Sequence, residues 1–463
     1  MRLPHSLAWM LALIHLVSVS AFAQQTPPIP PKVVDVTVPP PVTVPGVTAP
    51  GDVPNRPLTA DEAARIALRH QYQVTEARAG FNAAQGRTQQ QKSALGPSVN
   101  VSAGYIDVQT LSSPSGTGGG TSAAAGLSTT GFNGDVTLRQ LIFDFNHTRD
   151  LVRQSQALER SAAQNLTNVQ TNVVFQVKQA YYSYAQSIAL EAVDEDDLKN
   201  RNSQRDLARA RLNSGLGLPS DVVAAETAVD EAITTLNQAR ANVTLARITL
   251  ALDMGIDPRT PIVIGTTGEP ALGTDNVDAL VNTGLKQRPD VLQAIENLRA
   301  AQYAVSAART TNAPSFSGNV QYGTHGDVLP PGTNTVTVGV SVVWTPFDSG
   351  LTAGRVKEAR ANVDLAQAQL LGVQQGVVSD ITQAYVNFRS AEQRVVSARG
   401  GVANATEQVR IAEGRFRSGL GQFQDILTAQ AALVTARSEE ETAIYAREQA
   451  RAALSRAIGA PLP

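Results

Sequence analysis

One duplication constrains this chain more than any other feature. Arg211-Leu212-Asn213-Ser214-Gly215-Leu216-Gly217-Leu218-Pro219-Ser220-Asp221 and Arg415-Phe416-Arg417-Ser418-Gly419-Leu420-Gly421-Gln422-Phe423-Gln424-Asp425 share one pattern: Arg, two residues, Ser-Gly-Leu-Gly, three residues, Asp. They lie 204 residues apart, as do Phe143-Asp144 and Phe347-Asp348, and Gly255 and Gly459. Nearer the N-terminus the offset is 217: Leu68 matches Leu285, Val74 matches Val291, and Pro97 matches Pro314. The difference of 13 falls in one Gly-, Ser- and Thr-rich loop of the first copy, about Ser112 to Thr130. Constant offsets on both sides of one loop mark an internal repeat. The expected units are residues 58–275 and 276–463.

Each unit reads helix, strand, loop, strand, long helix, glycine turn, helix. Apolar residues recur at helical spacing from Thr59 to Leu95 and again from Asn276 to Ala308, so one helix is expected in each stretch. Val99, Val101, Ala103 and Tyr105 alternate with polar residues, as do Phe316, Gly318, Val320 and Tyr322. Val336, Val338, Val340, Val342 and Trp344 alternate most strictly, and Gly134, Val136 and Leu138 do so more weakly. Such alternation gives a strand one apolar face and one small or polar face. About 10–12 residues per strand is the length of a tilted membrane strand, and Tyr322 and Trp344 suit a membrane interface. A soluble sheet with one buried face fits the pattern equally well.

The long helices separate those two readings. Thr148 to Asn213 contains neither proline nor glycine, which at the α-helical rise is roughly 100 Å of helix. Thr352 to Ser418 is its counterpart, broken only by Gly354, Gly372, Gly376, Gly400, Gly401 and Gly414. Small and uncharged polar residues fill both, without the Leu/Ile seam of a two-stranded coiled coil. Four strands per chain cannot close a barrel, and an open edge is not tolerated in lipid. Assembly is therefore expected: a dimer gives eight strands and a trimer twelve, a small β-barrel continued by a long helical barrel.

Composition removes other classes. With net charge −2 over 463 residues, a nucleic-acid partner is not expected. The absence of cysteine excludes disulfides, thiolate metal sites, a cysteine nucleophile and a lipidated N-terminal cysteine. His70, His147 and His325 have no ligand spacing, and no nucleophile–base set or phosphate-binding loop is visible. The expectation is a chain that is not an enzyme and holds no cofactor or metal. Arg2, the apolar run from Leu7 to Val19 and Ala21-Phe22-Ala23 read as a signal peptide, residues 1–23. Residues 24–57 are Pro- and Val-rich and read as an extended linker.

With the duplicated turns, Phe143-Asp144, Pro346-Phe347-Asp348-Ser349-Gly350, Met254-Gly255 and Ile458-Gly459 in order, the chain resembles the TolC family of outer-membrane efflux channels. The resemblance spans about Pro57 to Pro463. It implies a homotrimer with a 12-stranded β-barrel in outer-membrane lipid and a 12-helix periplasmic tunnel. It also implies docking to a periplasmic adaptor (membrane fusion) protein and an inner-membrane pump or ABC exporter, as in tripartite efflux or type I secretion. Lacking cysteine, this chain resembles the non-lipidated members. The competing reading is an exported structural coiled-coil or adhesin-like protein without a pore.

The candidate residues follow. Asp144 and Asp348, at the strand-to-helix joints, are expected to cap the helices they precede. Gly215 and Gly419 are expected left-handed helix ends. Leu216 and Leu420 either cover their own helix ends or, as the resemblance implies, contact the adaptor. Asp221 and Asp425 either favour the helix starts they occupy or, by resemblance, line a cation- and pH-sensitive periplasmic entrance. Phe416 and Gly421 stand where some members carry a Tyr and an Arg that hold the entrance shut. Arg415 and Arg417 are candidate substitutes. Pro219 stiffens the first turn, so the second turn is expected to be the looser and the one that moves.

Overall fold

Two helices of 67 residues dominate the molecule, α3 (His147–Asn213) and α7 (Leu351–Arg417). Each is followed by a helix of 35 residues, α4 (Pro219–Asp253) and α8 (Phe423–Ala457). The equal lengths are the duplication seen in three dimensions. The computed structural model describes residues 56–108, 129–265, 276–326 and 332–462, all within one unit, Pro54–Pro463. The expected signal peptide lies outside the described residues, as do most of the Pro-rich segment and most of the Gly/Ser/Thr loop.

The expected single helix at the head of each unit is a pair. The first copy has α1 (Ala60–His70) and α2 (Tyr72–Ser93), and the second has α5 (Val277–Gln287) and α6 (Pro289–Arg309). In the second copy proline dictates the break, since the residue before a proline is pushed out of the helical region, and Arg288 is extended. In the first copy no proline is present. Gln71 is extended there, its side-chain oxygen accepts from Tyr72 N–H (2.9 Å), and its amide donates to the Asp253 carbonyl (3.2 Å). That tertiary bond has no local sequence signature. A capping box opens α1: Thr59 Oγ1 accepts from Glu62 N–H (3.2 Å) and Glu62 Oε2 from Thr59 N–H (3.1 Å).

The strands β1 (Ser98–Val108), β2 (Thr129–Phe143), β3 (Ser315–Gly326) and β4 (Thr333–Val343) form one antiparallel sheet in chain order. Three have 11 or 12 residues, and β2 has 15. Register sorts the two faces. Val99, Leu138, Val320 and Val338 form one row and Val101, Val136, Tyr322 and Val336 the next, all exposed. The opposite face carries Asn100, Thr137, Gln321 and Thr337, then Ser102, Asp135, Gly323 and Thr335. Within the described residues β1 and β4 pair on one side only. An exposed apolar face bounded by two open edges is not a finished soluble sheet. It is one stave of a barrel, consistent with closure by three chains. Among the described residues no helix is long and apolar enough to cross a membrane.

The helices pack by two different chemistries. Near the middle of α7, Leu280, Val291, Val377, Ile381, Phe388 and Leu454 join α5, α6, α7 and α8 in an apolar cluster. Between the two hairpins, α3 and α8 run antiparallel along a polar seam. Arg456 Nε donates to Asn172 (2.9 Å), Gln449 to Ser183 (3.1 Å) and Gln186 to Thr442 (3.3 Å), and Arg437 stands 3.8 Å from Asp196.

Candidate docking tips and entrance

The two glycine turns close their helices in the same way. Leu216 N–H donates to the Arg211 carbonyl and Gly215 N–H to that of Leu212, both at 2.9 Å. In the second copy Leu420 N–H reaches the Arg415 carbonyl (2.9 Å) and Gly419 N–H that of Phe416 (3.1 Å). These are Schellman ends, which need a left-handed residue. Gly215 and Gly419 supply it with φ of 72° and 73°. Ser214 and Ser418 add a hydroxyl bond to the carbonyls of Ala210 (2.8 Å) and Gly414 (2.6 Å).

The apolar residue after each glycine turns outward. Leu216 is 74% exposed and Leu420 80%. The same motif ends α4, where Ile256 N–H donates to the Ala251 carbonyl (3.0 Å), yet Ile256 is only 5% exposed. The turn geometry therefore does not force exposure, and neither leucine covers its own helix end. Leu218 and Val223 are also exposed beside Leu216.

The two aspartates are held differently. Asp425 Oδ2 accepts from Gln422 N–H (3.0 Å) at the start of α8. Asp221 sits in the first turn of α4 behind Pro219, and its carboxylate has no hydrogen bond or ion pair among the described residues. Behind both tips, Ala208 of α3, Ala225 and Ala228 of α4, Ala412 and Phe416 of α7, and Phe423, Ile426 and Leu427 of α8 form one buried cluster.

Phe416 belongs to that cluster rather than to an open surface. Its ring centroid lies 5.6 Å from that of Phe423, and the Arg211 guanidinium stacks 4.3 Å from it. Arg211 thus crosses from the first hairpin to the second. Neither expected substitute does so: Arg417 pairs with Glu413 of its own helix (3.0 Å), and the exposed Arg415 side chain has no partner among the described residues. Periodicity cannot show which side chains meet across 205 residues of chain, so Arg211 passed as the first letter of a motif.

At the other end of the long helices, Asp144 Oδ2 accepts from Thr148 N–H (2.7 Å) and Asp348 Oδ2 from Thr352 N–H (2.8 Å). Both carboxylates satisfy an orphan donor of the first turn. They do so from two residues before the formal caps, Asn146 and Gly350, which are left-handed.

A one-faced sheet with open edges, standing directly on helices of 67 residues, defines a subunit of a membrane barrel extended by a helical duct. The profile of the outer membrane efflux protein family matches residues 63–255 and 280–460, and the chain belongs to that family. It is 27% identical over 339 residues to outer membrane efflux protein BepC of Brucella suis, covering 71% of this chain and 73% of BepC. It is 25% identical over 302 residues to the toluene efflux pump outer membrane protein TtgC of Pseudomonas putida, covering 63% and 61%. Among solved structures it superposes on the outer membrane protein VceC of Vibrio cholerae with a TM-score of 0.74 at 18% identity, over 87% of this chain and 97% of that one. The protein is an outer membrane channel for efflux, and the pore-free structural reading is not favoured.

Proposed function

We propose that three copies close twelve strands into one barrel, apolar face to lipid and polar face to a water-filled bore. The hairpins α3–α4 and α7–α8 then continue as a periplasmic tunnel, with residues 58–275 and 276–463 as its two repeats. The sheet carries this reading: an exposed Val/Leu/Tyr face, an Asn/Ser/Thr/Gln face and two edges unpaired among the described residues. Transport through it is passive and needs no catalysis, cofactor or metal of its own.

Energy comes from a partner, an inner-membrane pump or ABC exporter reached through a periplasmic adaptor. TtgC is named as the outer membrane protein of a toluene efflux pump, which supports the pump rather than the type I secretion role. The exposed tips, Gly215-Leu216 and Gly419-Leu420, are the adaptor contact. Asp221 and Asp425 line the entrance, and Arg211 on Phe416 holds the second hairpin against the first there. Planar bilayers test the duct: the purified protein is expected to run as a heat-modifiable trimer and to conduct ions. Replacing both aspartates with Ala is expected to weaken cation preference and divalent block. A monomer without conductance overturns the duct; unchanged selectivity leaves Asp425 as a cap and Asp221 as a favourable charge at a helix start.

A further inference from the structure

The polar seam between the hairpins has a missing rung. Its paired rungs descend from Asn172 with Arg456 to Asp196 with Arg437. The next facing positions are Gln204 on α3 and Gln430 on α8, and neither carboxamide has a hydrogen bond among the described residues. Gln430 is only 4% exposed, and Gln204 Oε1 is buried without a donor. Both line a cleft of about 380 Å³ between the two hairpins. Leu207, Ile426 and the buried edge of Phe416 form its apolar wall. At its rim Glu413 and Arg417 neutralise each other at 3.0 Å.

A buried polar atom without a partner, as Gln204 Oε1 is, is rare and costly. A cleft of this volume falls in the range of small-molecule sites, which are largely apolar with a few convergent polar groups. Water can satisfy the amides but gains nothing from the apolar wall. We propose that the cleft binds a small uncharged molecule with an amide, or an equivalent N–H donor beside a C=O acceptor, on an aromatic or aliphatic body. Gln204 Oε1 takes its N–H, the Gln430 amide donates to its carbonyl, and the body lies against Leu207, Ile426 and Phe416. The neutral rim excludes a requirement for charge. Such a molecule touches both hairpins, so it favours the state in which they are joined. That last consequence rests on the channel reading above; the binding itself does not.

Benzamide is the probe, with benzoate and ethylbenzene as controls that lack the neutral amide. Saturation-transfer NMR on the detergent-solubilised full-length protein is expected to show saturable benzamide binding, at least tenfold stronger than either control. The Q204L/Q430L variant, with its oligomer intact, is expected to lose at least tenfold in affinity. Should that variant fail to assemble, Leu207→Trp fills the cleft from an exposed position and must abolish binding. Absent saturation, equal binding of all three probes, or full affinity in the variants overturns the site. In bilayers, saturating benzamide is expected to lower open conductance severalfold. Binding with unaltered conductance overturns the joining role, whereas binding by a protein that never conducts leaves the site standing and removes the channel reading.

Discussion

The two hairpin tips share a motif and a backbone turn, yet they are held by different means. The first has Pro219, which fixes its own φ, an exposed Arg209–Glu226 ion pair between its two helices and small buried alanines, but no buried aromatic of its own: Leu218 and Val223 are exposed and Asp221 is unbonded among the described residues. The second has no proline, but Phe423 is buried against Phe416, Asp425 caps Gln422, and Gly421 N–H adds a bond to the Arg415 carbonyl (3.1 Å). The expectation that the second turn is looser weighed only backbone freedom. Side-chain burial outweighs it, because a buried aromatic is worth several kcal/mol, whereas a favourable proline gives about 0.4–1 kcal/mol. In the structure the first tip lacks a buried aromatic anchor and has the larger exposed apolar surface.

The largest test of that contrast removes the aromatic anchor. Phe423→Ala should cost the second tip about 3 kcal/mol, while Leu218→Ala should cost the first less than about 0.5 kcal/mol, as at other exposed sites. Hydrogen exchange of the amides flanking each turn reads both, and equal effects would break the comparison. Next come the second glycines. A Cβ on Gly217 meets Leu212 N at 2.8 Å, whereas on Gly421 the nearest atom is Arg415 Cβ at 3.1 Å. Gly217→Ala must shift backbone and should cost more than Gly421→Ala, by about 1 kcal/mol on the scale of small-to-large changes. The same exchange measurement would find the reverse order if the first turn yields freely. Smaller again is Arg211→Gln, which removes the stacking on Phe416. It should cost about 0.5–1 kcal/mol and make the open state of the channel more frequent in bilayers; unchanged opening would reduce Arg211 to packing.

Much of this architecture was legible because it depends on local period and on repetition. The two offsets anticipated helices of identical length, strand alternation anticipated the two faces of the sheet, and Asp144 and Asp348 were readable from their place at strand ends. What escaped reading depends on contacts between distant segments. Gln71 breaks a helix without proline or glycine because its amide finds Asp253, 182 residues away. Phe423 looked like part of a slack turn because its burial needs both hairpins in place. Gln204 and Gln430 are ordinary helix-surface residues until α3 and α8 are laid side by side.

The smallest effect is also the one that separates capping from conduction. An acid at a helix start contributes about 0.3–1 kcal/mol at an exposed site, and both aspartates share that term. Asp425 adds its bond to Gln422 N–H, which Asn keeps only without the charge, so Asp425→Asn should lower tip stability by roughly 0.5 kcal/mol more than Asp221→Asn, the difference between a charge-assisted and a neutral bond. Selectivity should run the other way. Asp221 has no competing hydrogen bond, so its carboxylate is available to passing cations, and Asp221→Asn should reduce cation preference more than Asp425→Asn. Reversal potentials under a salt gradient, set beside hydrogen exchange of the same two variants, give both orders. If stability and selectivity fall together in one variant, the division of labour between the tips is lost, and each aspartate's charge serves its helix start and the bore alike.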